Sequence, residues 1–205
     1  MKIRKARPED AASMVRIKEG LPMPEATEST QQGGFLLGTS EQVYAFFIEQ
    51  AQSLVAETGN EVVGFGILLP DALVKASEIW QKRNRASWTI PLHELEDKKL
   101  CYFEQLAFRP AYRRAAPRLA FALLNEAFQH QGYEAMVTTT VRKPVMNLAA
   151  VPFIRAAGGT LVGNIDEYYE GIGAINSDIY LIQKKDFTEA TQKLNLARSS
   201  PPAFL

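Results

Sequence analysis

Residues 109–118 read Arg-Pro-Ala-Tyr-Arg-Arg-Ala-Ala-Pro-Arg, four arginines in ten positions, and an apolar helical repeat follows at once. A helix start carries unpaired backbone N–H groups and the positive end of the helix dipole. Guanidinium groups gathered there suit an anion, a phosphate above all; the plain alternative is a solvated basic turn. Further back, Lys82, Arg83 and Arg85 are interleaved with Trp80 and Trp88. That mixture suits stacking on a base or an acceptor, or a helix that packs its aromatic side on the core. Other chemistry-bearing types are sparse. Cys101 is the single cysteine, which excludes an intrachain disulfide and a cysteine-built zinc site and reads as a buried strand residue. His93 and His130 stand in no metal-ligand spacing, so no metal is expected.

Composition limits the classes. Hydrophobic residues make up 46% and charged residues 22% of the 205, the balance of a folded domain rather than a disordered chain. Lys+Arg and Asp+Glu are equal at 23, so no overall field draws the chain onto nucleic acid or an anionic membrane, and neither is expected as a partner. No apolar run of signal-peptide or membrane-span length follows Met1, and with the lone cysteine this gives a cytoplasmic expectation.

The elements that must position these residues follow from periodicity and punctuation. "MKIRKA" alternates as a short edge strand, and "RPEDAASMVRIKEGL" opens a helix with Ala11, Met14, Val15 and Ile17 on its apolar face. A polar stretch with Pro22, Pro24, Gly33 and Gly34 reads as a lid or a mobile loop, and Ser40 caps the next helix. "SLVAETGNEVVGFGILLP" predicts a hairpin turning at Thr58-Gly59-Asn60. Residues 71–99 read as an inserted helical and loop segment, and "KLCYFEQLAF" as a strand running into the arginines. Leu119/Ala120, Leu123/Leu124 and Ala127/Phe128 mark one face of a buried helix that Gly132 can end. "YEAMVTTTV" is a strand, "NLAAVPFIRAAGG" a short helix capped by Asn147, and "TLVGNIDEYY" and "SDIYLIQKK" are two closing strands.

The segments "EQLAFRPAYRR" and "NLAAVPFIRAAGG" resemble two motifs of the GCN5-related N-acetyltransferase (GNAT) family. In "EQLAFRPAYRR", Leu106, Ala107, Phe108, Pro110, Tyr112 and Arg113 fall where the family has a strand triplet and then x-Pro-x-Tyr-Arg; in "NLAAVPFIRAAGG", Asn147, Ala150, Phe153 and Gly158 match an Asn-x-x-Ala, aromatic, Gly pattern. The resemblance covers roughly residues 1 to 185. It implies an α/β fold with a mixed, mostly antiparallel central sheet of six to seven strands, flanked by helices and splayed after the fourth strand. Residues 1–185 would be a single domain and 186–205 a C-terminal tail. It also implies acetyl-CoA as co-substrate, with its pantetheine arm against the backbone of Leu106, Ala107 and Phe108 and with a secondary role for Asn147. The pyrophosphate would meet the turn at Ala116, neutralised by Arg113, Arg114 and Arg118.

The activity so implied is transfer of an acetyl group to a primary amine of a small molecule or a peptide by direct attack, in a monomer or homodimer. Glu104 is the catalytic candidate: counted by strand alternation it shares a face with Leu106, where the family often places the carboxylate that deprotonates the acceptor amine. Its alternative is a surface carboxylate or a salt bridge. Two departures stand against the family pattern. The turn Arg113-Arg114-Ala115-Ala116-Pro117-Arg118 lacks the usual glycines, and Ile154 occupies the place of the tyrosine that protonates the leaving thiolate. Tyr168 and Tyr169 are other hydroxyls for that step. A catalytically reduced relative that binds CoA or another ligand as a sensor or interaction module is the competing reading.

Overall fold

The computed structural model describes residues 1–21, 28–33, 35–36, 38–169 and 173–199. In chain order these form β1 (Lys2–Lys5), α1 (Ala11–Glu19), β2 (Ser29–Thr30), α2 (Glu41–Gln50), β3 (Gln52–Thr58), β4 (Glu61–Leu69), α3 (Asp71–Ala76), α4 (Glu78–Gln81) and β5 (Ser87–Trp88). There follow α5 (His93–Glu96), β6 (Leu100–Phe108), α6 (Ala116–Asn125), β7 (Ala135–Lys143), β8 (Met146–Asn147), α7 (Val151–Ala156), β9 (Thr160–Tyr169), β10 (Gly173–Gln183) and α8 (Lys184–Ser199).

Eight strands make one sheet in the order β1-β3-β4-β6-β7-β10-β9-β5, mixed α/β and mostly antiparallel; β6 and β7 are its one parallel pair. The count exceeds the expected six to seven by β5, two residues of the inserted segment laid on the β9 edge. Gly163 admits it, because a Cβ there would stand 2.3 Å from the Ser87 carbonyl oxygen. The β3–β4 hairpin turns through Gly59 and Asn60, both at positive φ, the geometry that a two-residue hairpin turn requires. Ser40 caps α2 by accepting the Val43 N–H.

Each sheet face buries its own apolar cluster. Met14 and Ile17 of α1 and Tyr44 of α2 cover Val55, Phe65, Ile67 and Leu100 on one face. On the other, Leu119, Leu123 and Leu124 of α6 pack with Phe103, Phe108 and Phe128. Of residues 186–205, expected as a tail, 186–199 lie in α8, whose Phe187 is buried against Phe121 and Phe128, and 200–205 lie outside the described residues. The single apolar residue at the head of a polar helix gave little sign of that anchoring. Among the described residues no helix is long and apolar enough to cross a membrane.

Candidate acyl-transfer site

β6, fourth across the sheet, pairs with β7 only at Leu100, Cys101 and Tyr102. Beyond Tyr102 the two strands part. At the fork the Thr138 hydroxyl donates to the Phe103 carbonyl at 2.9 Å, and the Tyr102 and Thr139 hydroxyls share a hydrogen bond of 2.7 Å. The freed edge of β6 walls a cleft of about 320 Å³ that Leu106, Ala107, Phe108, Arg113, Ala116 and Asn147 line. Its backbone polarity follows from the ladder to β4. Arg109 N–H donates to Val63 O, so alternation turns Ala107 toward β4 and the N–H and C=O of Leu106 and Phe108 toward the cleft. Ala107 thus contributes its place in the strand, with its own amide engaged on β4.

One residue breaks the alternation. Ile67 pairs with Gln105 and its neighbour Leu68 with Phe103, so Glu104 is the extra residue of a β-bulge. The expected shared face of Glu104 and Leu106 is therefore corrected. Leu106 packs into the α6 cluster, and a Cβ on Gly66 would stand 3.4 Å from it, while Gln105 and Ala107 share the α1/α2 face with Tyr102. The bulge is held from that side: the Tyr44 hydroxyl donates to Gln105 Oε1 at 2.8 Å, and Gln105 Nε2 donates to Thr39 Oγ1 at 2.8 Å.

The bulge places Glu104 where the cleft meets a second cavity of about 510 Å³ on the α1/α2 face. Tyr102, Glu104, Thr139, Glu167 and Tyr169 line both. Burial, and then repulsion from Glu167, push the Glu104 carboxyl up to about 7. Tyr102 is held well above the ordinary phenol value, by burial first and then by the Glu104 charge, so its hydroxyl keeps a proton at neutral pH. The arrangement sets a carboxyl poised near neutrality, as a general base requires, beside a phenol that keeps its proton at the meeting of two chambers.

The other predicted residues scatter around this centre. Arg113 lines the cleft, whereas Arg114 and Arg118 are exposed and do not; none of the three is paired with a carboxylate among the described residues. The helix start also differs from expectation. A 3-10 turn over Pro110–Ala115 runs without a break into α6, and the Ala116 N–H is engaged by the Arg113 carbonyl, so fewer free amides face a phosphate at 113–119. Asn147 does not cap α7, which starts at Val151. It lies in β8 and accepts the Ala149 N–H at 3.1 Å, an Asx turn at the cleft wall. Ile154 is buried in the α6 cluster. Tyr168 is 79% exposed at the mouth of the larger cavity, while the Tyr169 hydroxyl donates to Glu167 Oε1 at 3.4 Å. Sequence reasoning missed Tyr102, Thr139 and Glu167. Tyr102 was accessible in principle, two residues before Glu104 on the regular part of the strand; the other two come from distant strands.

The inserted segment supplies much of the larger cavity, through Leu73, Val74, Trp80, Ala86 and Trp88. Its two ends are clipped together, Asp71 Oδ1 accepting the Leu100 N–H at 2.8 Å and Lys75 Nζ donating to the Lys98 carbonyl at 3.0 Å.

The family model described as acetyltransferase (GNAT) family matches residues 23–158, which include the fork, Glu104 and the arginine turn. The chain belongs to the GNAT acetyltransferase family. Solved GNAT structures carry the same fold at low identity. The Salmonella typhimurium protein yncA, solved with its cofactor acetyl-CoA, is 16% identical with a TM-score of 0.60, over 90% of this chain and 94% of that one. An N-acetyltransferase of Staphylococcus aureus Mu50 is 14% identical with a TM-score of 0.58, over 89% of this chain and 98% of that one. The ribosomal-protein-S18-alanine N-acetyltransferase of Escherichia coli is 14% identical with a TM-score of 0.57, over 89% and 92%. No curated protein matches this GNAT chain by sequence.

Proposed function

We propose that the protein transfers the acetyl group of acetyl-CoA to a primary amine by direct attack. The observation that carries this reading is the position of Glu104, bulged out of β6 at the meeting point of two cavities. Acetyl-CoA, as the acyl donor, supplies the thioester. On this chain the cleft-facing N–H and C=O groups of Leu106 and Phe108 pair with an extended amide arm, and Arg113 offsets phosphate charge at the cleft mouth. The amine enters from the larger cavity and yields its proton to Glu104 directly or through water. Tyr102 holds a proton at the same junction for the departing sulfur and so takes the part that Ile154 cannot play.

A thiol-release assay of the purified protein with acetyl-CoA against a broad amine panel, run beside calorimetric titration with CoA, tests the reading. Amine-dependent thiol release is expected. Binding without turnover would favour instead a ligand-sensing relative, a reading for which the engaged Ala116 amide and the glycine-free turn speak.

A further inference from the structure

The larger cavity has one chemical end and a long apolar remainder. Among the described residues its only carboxylates are Glu104 and Glu167, both at the junction with the cleft. The cations in its wall are engaged elsewhere: Arg83 binds Glu96 at 2.8 Å and lies 5.1 Å over the Trp80 ring, and Lys82 is itself partnered. Trp88 donates its indole N–H to the Arg83 carbonyl at 2.8 Å, so its one polar atom is satisfied by the wall and its ring is left to the cavity. Phe46 and Tyr168, 46% and 79% exposed, stand at the mouth as large, incompletely covered rings, Phe46 lying against Phe47 with ring centroids 5.9 Å apart. A volume of about 510 Å³ suits a small molecule and is narrow for a folded partner.

Resting on the acetyl-transfer reading above, we infer that the acceptor is a small primary amine carried on an aromatic or comparably bulky apolar body, with its ammonium end between Glu104 and Glu167 and its ring among Phe46, Trp80 and Trp88. Two other acceptor classes fit poorly. A polyamine asks for carboxylates spaced along its length, and here both sit at one end. A peptide terminus asks for backbone partners, and aromatic walls offer few.

Calorimetric titration of the purified protein, with and without CoA, by 2-phenylethylamine, 2-phenylethanol, n-butylamine, spermidine and an alanyl peptide reads this directly. Phenylethylamine is expected to bind tightest. Removing its charge or its ring weakens binding on the order of tenfold to a hundredfold, since each change forfeits one end of the site. Phe46→Ser, at a half-exposed position that tolerates a small side chain, should weaken phenylethylamine several-fold and leave CoA affinity alone. Tighter binding of spermidine or the peptide, equal binding of phenylethanol, or an unchanged Phe46→Ser protein overturns the inference. The parent reading fails separately, if phenylethylamine binds while acetyl-CoA is neither bound nor consumed.

Discussion

Replacing Glu104 with Gln tests the junction through both stability and rate. The folded protein carries this carboxyl from the ordinary 4.5 up to about 7, and at about 1.4 kcal/mol for each tenfold this corresponds to roughly 3 kcal/mol against the ionised form. An edge of the side chain meets the cavity, where water screens part of the penalty, so about 2 kcal/mol is expected. At about pH 3.5 folded and unfolded chains both hold the proton, and parent and variant should be equally stable. As pH rises the unfolded chain ionises first, near 4.5, while the folded chain keeps its proton to about 7. The parent therefore loses stability across that window, and the Gln variant does not. Urea denaturation at a series of pH values should show the variant gaining on the parent to a plateau of about 2 kcal/mol above neutrality. In turnover the sign reverses. Loss of the base should lower the rate by roughly a hundredfold with CoA affinity nearly unchanged, and the parental kcat/KM should climb through about pH 7. A stability difference that stays flat with pH, or a parental rate in the variant, would refute the assignment of Glu104 as the buried base.

Arg113→Ala should weaken CoA binding roughly tenfold, whereas Arg114→Ala and Arg118→Ala should change it little, because Arg113 alone lines the cleft; titration of the three single variants compares them. Tyr102→Phe should lower turnover at least tenfold while leaving CoA affinity near the parental value, read from initial rates beside calorimetry. Phe187→Ala should destabilise the fold by about 3–5 kcal/mol in chemical denaturation, since the ring is fully enclosed by α6 and its continuation. Truncation before residue 186 should do at least as much damage.

The parts of the fold that the sequence disclosed are those specified within one window. Gly59 and Asn60 announce their own turn, Ser40 its helix, and the leucine pairs of α6 their buried face. The fork between β6 and β7 is not of this kind. It depends on a parallel pairing that joins residues 35 positions apart and then stops, and only the likeness of two motifs to a family suggested it. Glu104 was legible as a candidate, but its orientation was not: an inserted residue inverts the parity of everything after it, and pairing with Ile67 and Leu68 is what reveals the insertion. Asn147 has the side chain of a good cap, and its use in an Asx turn depends on β8 pairing with β2 three residues upstream of α7. Glu167 lies beside two tyrosines that drew attention as hydroxyls, yet its position across from Glu104 is a property of the sheet.

The clip between Asp71 and Leu100 bears on how such an enzyme could change its diet. Chain length between two points already held together has a weak hold on stability, since doubling a flexible loop costs only about 0.6 kcal/mol in closure entropy. Gains and losses of exposed residues between the clipped ends would therefore remodel the larger cavity, proposed above to admit the acceptor, while the cleft proposed for the donor, built from β6, β7 and the arginine turn, stays as it is. Ancestral and descendant chains could exchange this segment as a cassette, and selection on acceptor choice would act on it almost independently of selection on the acyl donor.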